Sequence, residues 1–191
     1  MKNIRITAII ALLIFVVLIS CSRSKNTTEN VIPTQENYPI NCENWDGTVF
    51  EKIKVEVFFI NNSSKVLSTE LADEHKEIST GLMCRKEITE SSGMLFKFQA
   101  EQNIGFWMFN VNFPVDILYL VKNDDKLYIV DFKKMKPCNN YEKISYTEYK
   151  NKCRSESVNY KPKKMYNYAL EINKNSLNIQ NISYIKILDS K

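Results

Sequence analysis

The sequence predicts a mainly β domain, either a sandwich or a barrel, and two observations lead to this prediction. Short apolar stretches recur along the chain and are separated by turn residues, as is typical of strands. Only one early stretch has its apolar residues at helical spacing. The 191 residues are 12% aromatic and 25% charged, which is enough apolar material for one packed domain.

The first 20 residues have the layout of an exported leader. Lys2 and Arg5 precede an uncharged apolar run over residues 6–19, which is short for a membrane span. The run ends in Leu-Ile-Ser-Cys at residues 18–21, which resembles a bacterial lipobox. This resemblance implies a lipoprotein signal peptide over residues 1–20, cleavage before Cys21 and attachment of lipid to its sulfur. The alternative is an uncleaved signal anchor with an incidental cysteine.

The segment after Cys21 is polar and has no periodicity. Residues 22–41 are rich in Ser, Asn, Thr, Glu and Gln, and they cannot bury enough apolar surface to offset the entropy of ordering. We therefore predict a flexible tether over residues 21–49 and a single β-rich domain over residues 50–191. The expected location is the bacterial cell envelope, with the membrane as partner through the lipid and the domain on the extracytoplasmic side.

The positive charge of the chain is dispersed. The net charge is +4, and the densest basic stretch, residues 161–164, is interrupted by Pro162. No basic and aromatic residues alternate as they do in an RNA-binding sheet. We therefore predict a solvated surface with excess lysine and no nucleic-acid partner.

Four cysteines remain when Cys21 is set aside. In an oxidising compartment an even number suggests disulfides. Cys138 and Cys153 flank a polar, tyrosine-rich segment that a bridge would staple, and Cys42 with Cys84 is a weaker pairing. A zinc site would need closer cysteine spacings and histidines, whereas the chain has one histidine.

The elements of the domain follow from the apolar spacing, taken in chain order. Residues 52–60 alternate as a half-buried strand does, and residues 65–68 could form a second. Thr69 is a suitable helix cap, and this helix should end near Gly81. His75 lies in it without an evident catalytic partner. Further strands are predicted over residues 93–98, 104–109, 115–121, 127–132, 165–172 and 182–188.

Five motifs now occur in a recognisable order. They are GLMCR, GMLFKF, FWMFNVNFPVDILYL, a Pro-Cys pair and YALEI. This order closely resembles the domain of unknown function 192 family. The resemblance implies a jelly-roll-like antiparallel β-sandwich with one short early helix, and it supports the Cys138–Cys153 bridge before Tyr160. The chain departs from the family pattern at residues 173–175, where members often have a glycine. The family is uncharacterised, so the resemblance implies no activity.

Four polar residues lie inside the apolar motifs and are the candidate binding residues: Arg85, Asn110, Asp116 and Glu171. A charged group on an apolar strand is costly to bury unless it is paired. One hypothesis is structural, with Arg85 paired to Asp116 or Glu171. The other is functional, with Arg85 binding a carboxylate or phosphate while the acids orient it.

Three classes of function remain for the domain. The first is a binding domain for a small molecule, a glycan or an envelope protein. The second is a hydrolase of an envelope glycan, with Asp116 and Glu171 as its catalytic carboxylates. The third and weakest is a copper carrier that uses Met83, Met94 and Met108 near Trp107. Methionines at strand spacing are more often core residues. The sequence contains no motif for a cofactor and no histidine-based metal motif. We therefore favour a binding domain that has neither a cofactor nor a metal.

Overall fold

Seven strands form the framework of the domain. The computed structural model describes residue 42, residues 47–138 and residues 144–188. The predicted signal peptide, the predicted lipidation site at Cys21 and most of the predicted tether lie outside these residues. The strands are β1 (Glu51–Phe59), β2 (Ser64–Ala72), β3 (Ser92–Gln102), β4 (Val115–Asn123), β5 (Lys126–Met135), β6 (Tyr166–Asn173) and β7 (Ile182–Leu188).

The strands close into a barrel in the order β1-β2-β3-β6-β4-β5-β7. The prediction of a mainly β domain is confirmed, and the prediction of a jelly-roll-like sandwich is wrong. The barrel closes because β7 pairs with β1 along six positions and also meets β5, where Leu127 lies opposite Ile185. Alternation within a strand shows which residues face a core, but it does not show which strand edges pair.

The inside of the barrel is filled by one apolar cluster. Strand β1 contributes Ile53, Val55 and Val57, which are the alternate residues expected to point to one face. Each of the other strands adds at least one side chain, and Leu118 and Leu170 are fully buried there. Because these residues come from every strand, we identify this cluster as the barrel interior.

A second core covers the outer face of the wall formed by β2, β3, β6 and β4. Met94, Phe96, Ile117 and Tyr119 point outward from the wall and are fully or almost fully buried. The chain segments between the strands lie over them. One of these, residues 73–91, connects β2 to β3, the only strands among the described residues that pair in parallel, and a parallel pair requires such a crossover.

Two helices accompany the barrel among the described residues. Helix α1 (His75–Thr80) ends at Gly81 as predicted, but Thr69 lies in β2 and does not cap it. Helix α2 (Tyr146–Glu156) was not predicted, and it is followed by a short 3-10 helix (Ser157–Tyr160). No helix in the described part of the chain is long and apolar enough to span a membrane. The strand expected at residues 104–109 is an irregular segment.

Both predicted disulfide bonds are present. Cys138 and Cys153 join the chain just after β5 to helix α2, with their Cα atoms 5.6 Å apart. Cys42 and Cys84 join the start of the domain to the segment after α1, with a Cα separation of 5.3 Å. The two bridges therefore fasten covering segments rather than barrel strands.

Candidate functional site

An acid–arginine cluster lies on the outer face of the barrel wall. Strand pairing places Glu70 opposite Met94, Met94 opposite Glu171, and Glu171 opposite Ile117. Residues directly opposite one another in a sheet point to the same face. The two acids are therefore separated by one buried methionine, and both point toward the segment that carries Arg85.

Arg85 is held in place by the backbone around it. The chain leaves α1 through Gly81, whose φ of +50° suits glycine, and turns again at Cys84, which has a φ of +62°. The Cys84 N–H donates to the Asn110 carbonyl at 2.8 Å, and the disulfide to Cys42 fixes the same residue. The turn thus places the next residue, Arg85, over the acidic row.

Arg85 forms an ion pair with Glu70. The distance from Arg85 Nη2 to Glu70 Oε2 is 2.5 Å, and both side chains are about one quarter exposed. The Arg85 guanidinium also lies over the Phe50 ring, 5.2 Å from its centroid. An arginine has five N–H donors, and the pair with Glu70 leaves several of them for another partner.

Glu171 is the buried acid of the cluster. It is 5% exposed, and among the described residues no hydrogen bond to its carboxyl group is formed. Burial raises its pKa to about 8, and the positive charge of Arg85 offsets part of this increase. At neutral pH this carboxyl group is therefore mostly protonated, so it is a hydrogen-bond donor without a net charge.

Asn110 has a role in joining covering segments. It is buried, has a φ of +56°, and accepts from Cys84 as described above. Its own N–H donates to the hydroxyl of Tyr149, on helix α2, at 3.2 Å. The residue thus connects the turn that carries Arg85 to the helix fastened by the second disulfide.

Asp116 is not part of the cluster. It lies opposite Ile172, one residue beyond Glu171, so its side chain points to the inner face of the wall. Its Oδ2 accepts a hydrogen bond from the Asn175 N–H at 2.8 Å, in the turn after β6. The structure therefore brings Arg85 near Glu171 but not near Asp116, and the two predicted catalytic carboxylates do not face one site.

The methionines of the copper hypothesis all belong to the outer core. Met94 and Met108 are buried, while Met83 is partly buried and packs against the same cluster together with Trp107. No group of three or more His, Cys, Asp or Glu residues that could hold a metal ion occurs in the described part of the chain. These side chains are packing residues, and the copper hypothesis gains no further observation.

Two residues at the site are not predicted from the sequence. Glu70 follows the predicted cap Thr69, which predicts a place in the first turn of a helix, but it occupies an outward position on β2. The apolar alternation of residues 65–71 could have indicated this strand. Phe50 precedes β1 and has no pattern that predicts its contact with Arg85.

Comparison with known proteins identifies the family. The model of DUF192, described as “Uncharacterized ACR”, matches residues 56–184, which is more than half of the chain. The chain belongs to this family. The match spans both acids of the cluster and Arg85. No curated protein sequence matches the chain.

Two crystal structures share the fold of this DUF192 protein. One is from Sinorhizobium meliloti 1021 and is named as a candidate transcription regulator. It is 21% identical to this chain, the match covers 74% of this chain and 97% of the other, and the TM-score is 0.54. The second is a protein of unknown function from Novosphingobium aromaticivorans DSM 12444. It is 22% identical, the match covers 73% of this chain and 86% of the other, and the TM-score is 0.51. At these identities the likeness concerns the fold alone.

Proposed function

We propose that this protein is a membrane-tethered, extracytoplasmic binding domain, and that it binds a ligand carboxylate or phosphate at Arg85. The observation that carries the proposal is the neutral, buried carboxyl group of Glu171 beside the partly exposed guanidinium of Arg85. A buried titratable group with a raised pKa next to a specific charged partner is typical of functional sites.

The hydrogen-bond donors of the cluster suit an anionic group. Glu70 balances the single positive charge of Arg85, and Glu171, being protonated at neutral pH, adds no negative charge that would repel an anion. A ligand carboxylate can accept from the free guanidinium N–H groups and from the protonated Glu171. The Arg85 guanidinium lies over the Phe50 ring, 5.2 Å from its centroid, and this cation–π contact adds to the contacts that hold Arg85 in place.

The proposed location rests on the leader and on the disulfides. The run that ends at Cys21 has the order of a lipoprotein signal peptide. Two disulfide bonds fit an oxidising compartment outside the cytoplasm. Mass spectrometry of the protein from a bacterial membrane fraction tests this part: an N-terminal peptide that begins with lipidated Cys21 supports it, and an intact leader contradicts it.

The binding proposal is tested with a matched pair of sugars. Glucuronate carries a carboxylate, and glucose has the same ring without it. We expect the full chain to bind glucuronate and not glucose in a calorimetric titration at pH 6.5. Glucose 6-phosphate, as a third titrant, tells whether a phosphate is accepted as well as a carboxylate.

The matched variants are Arg85→Gln and Arg154→Gln. Arg154 is an exposed arginine on α2, outside the cluster. Hydrogen bonds to a charged group contribute about 1.5–3 kcal/mol, so Arg85→Gln should weaken glucuronate binding at least about tenfold. Arg154→Gln should leave the affinity unchanged. The proposal would be contradicted if the wild type and Arg85→Gln bound glucuronate with equal affinity, or if the wild type bound glucose as tightly as glucuronate.

A further inference from the structure

One end of the barrel contains a cavity that shares no residue with the acid–arginine cluster. It has a volume of about 520 Å³ and lies between the β1–β2 turn and the segment after β6. The two sides are joined by a hydrogen bond from the Ile60 N–H to the Asn181 carbonyl at 2.9 Å. Barrel mouths are common places for small-molecule sites, and this volume is in the range of such sites.

The wall of the cavity has an apolar part. Phe59 and Ile60 line one side, and Leu177 lines the other. Ile60 is 68% exposed, although it is a large aliphatic side chain at a turn where a polar residue would be expected. Leu177 packs into the barrel interior, so the apolar wall continues the inner core to the surface.

The lining of the cavity also includes a lysine and a serine. Lys65 occupies the inner face of β2 at this end, as shown by its position opposite Val57. Its Nζ donates to the Glu90 carbonyl at 3.2 Å, and within the described ranges it forms no ion pair with an acid. The Ser176 hydroxyl is buried in the wall and has no hydrogen-bond partner among the described residues.

We propose that this cavity binds a small apolar molecule with one anionic head group. The head group lies on Lys65, and the apolar part lies against Phe59, Ile60 and Leu177. The proposed ligand is therefore a short aliphatic monocarboxylate. An anion completes the ion pair that Lys65 lacks, and an apolar tail removes the exposed Ile60 side chain from water.

The test uses hexanoate with two probes of the same tail. The full chain is placed in lipid nanodiscs, and binding is measured by saturation-transfer difference NMR, with empty nanodiscs as a blank. We expect hexanoate to saturate at a concentration below about 10 mM, and hexanol and hexylammonium not to compete with it. Competition by hexanol or hexylammonium with equal affinity, or no saturation by hexanoate, would overturn the proposal.

Four variants decide which residue holds the head group. Lys65→Gln should weaken hexanoate binding about tenfold, whereas Lys65→Arg should retain it. Lys54→Gln, an exposed lysine on the adjacent strand, is the control and should change nothing. Ile60→Asp changes an exposed turn residue and brings a negative charge to the cavity, so it should weaken binding even if Lys65→Gln does not fold. Unchanged affinity in both Lys65→Gln and Ile60→Asp would refute the site.

The outcome can be separated from that of the Arg85 site. Hexanoate carries a carboxylate and can also bind at Arg85, so its binding to the cavity is measured in the Arg85→Gln background. Saturation should persist there, and Lys65→Gln added to it should still weaken binding, because Arg85 does not line the cavity. If Arg85→Gln abolishes hexanoate binding and Lys65→Gln does not, the barrel-end site is wrong while the Arg85 site is supported.

Discussion

The carboxyl groups of Asp116 and Glu171 lie on opposite faces of the same barrel wall. Glu171 is paired with Ile117 on the adjacent strand, and Asp116 precedes Ile117, so the pleat points the two side chains in opposite directions. Asp116 bonds to Asn175 at one end of the inner face, and Glu171 lies beside Arg85 on the outer face. The two acids therefore have separate roles, the first structural and the second in the candidate site.

Asp116→Asn should change stability and not ligand binding. The substitution removes the negative charge that strengthens the hydrogen bond from the Asn175 N–H, and we expect a loss of about 1–2 kcal/mol in the free energy of unfolding. Denaturant unfolding measures this loss, and calorimetry should show the same affinity for glucuronate as in the wild type. A folded variant that no longer binds glucuronate would show that Asp116 belongs to the site.

Glu171 should make the protein less stable as the pH rises. Its pKa is about 8 when folded and near its ordinary value of 4.5 when unfolded, so between these values the folded state holds more protons. The stability that Glu171 contributes is fully present below about pH 4.5. It is lost as the pH rises to about 8, at up to about 1.4 kcal/mol per pH unit. The free energy of unfolding, measured between pH 5 and 8, should therefore decrease as the pH rises.

The matched variant for that measurement is Glu171→Gln. Glutamine has nearly the same shape and does not titrate, so the decline between pH 5 and 8 should become shallower. Parallel curves for the variant and the wild type would mean that the folded and unfolded states bind the same number of protons at Glu171. In that case the carboxyl group would not be neutral in the folded protein at pH 7.

Gly93→Ala should disrupt the wall that carries the acids. A Cβ atom at this position would lie 2.5 Å from the backbone carbonyl oxygen of Glu171, so β3 and β6 would have to separate. We expect a loss of about 3 kcal/mol or more in unfolding experiments. The control is Gly47→Ala, where a Cβ atom meets nothing within 4 Å and only the φ of +62° is unfavourable, at about 1 kcal/mol. Equal losses in the two variants would contradict the close approach at Gly93.

The two disulfides should contribute by different amounts. Chain entropy predicts about 3 kcal/mol for the 15-residue separation of Cys138 and Cys153, and about 4 kcal/mol for the 42-residue separation of the other pair. Double alanine variants of each pair, compared by denaturant unfolding, measure the two values. A smaller loss for the Cys42 and Cys84 double variant than for the Cys138 and Cys153 double variant would contradict the chain-entropy prediction.

Local patterns predicted the parts of the fold that depend on neighbouring residues. The alternation of Ile53, Val55 and Val57 predicted β1, and Gly81 predicted the end of α1. The polar segment between Cys138 and Cys153 has no apolar stripe, and its helix buries only Tyr149 and Cys153, so apolar spacing could not reveal it. The capping box formed by Ser145 and Glu148 was the available indication of that helix.

Closure of the barrel and assembly of the site depend on contacts between distant residues. Arg85 meets Glu70 because residues 73–91 cross over the wall, and a single sequence does not show which acid an arginine reaches. Arg85 and Glu171 are predicted as site residues from the sequence because charged residues within apolar motifs are costly to bury. Asp116 is predicted on the same ground, since alternation alone does not distinguish the inner face of a closed sheet from a covered outer face.

The most direct measurement is a titration of the Glu171 carboxyl carbon by ¹³C NMR, in the full chain with and without glucuronate, with Glu171→Gln used to assign the resonance. A site that binds an anion through protonated Glu171 predicts a pKa of about 8 in the free protein and a higher pKa when glucuronate is bound. A pKa near 4.5, or a pKa that does not change on addition of glucuronate, would contradict the proposed site.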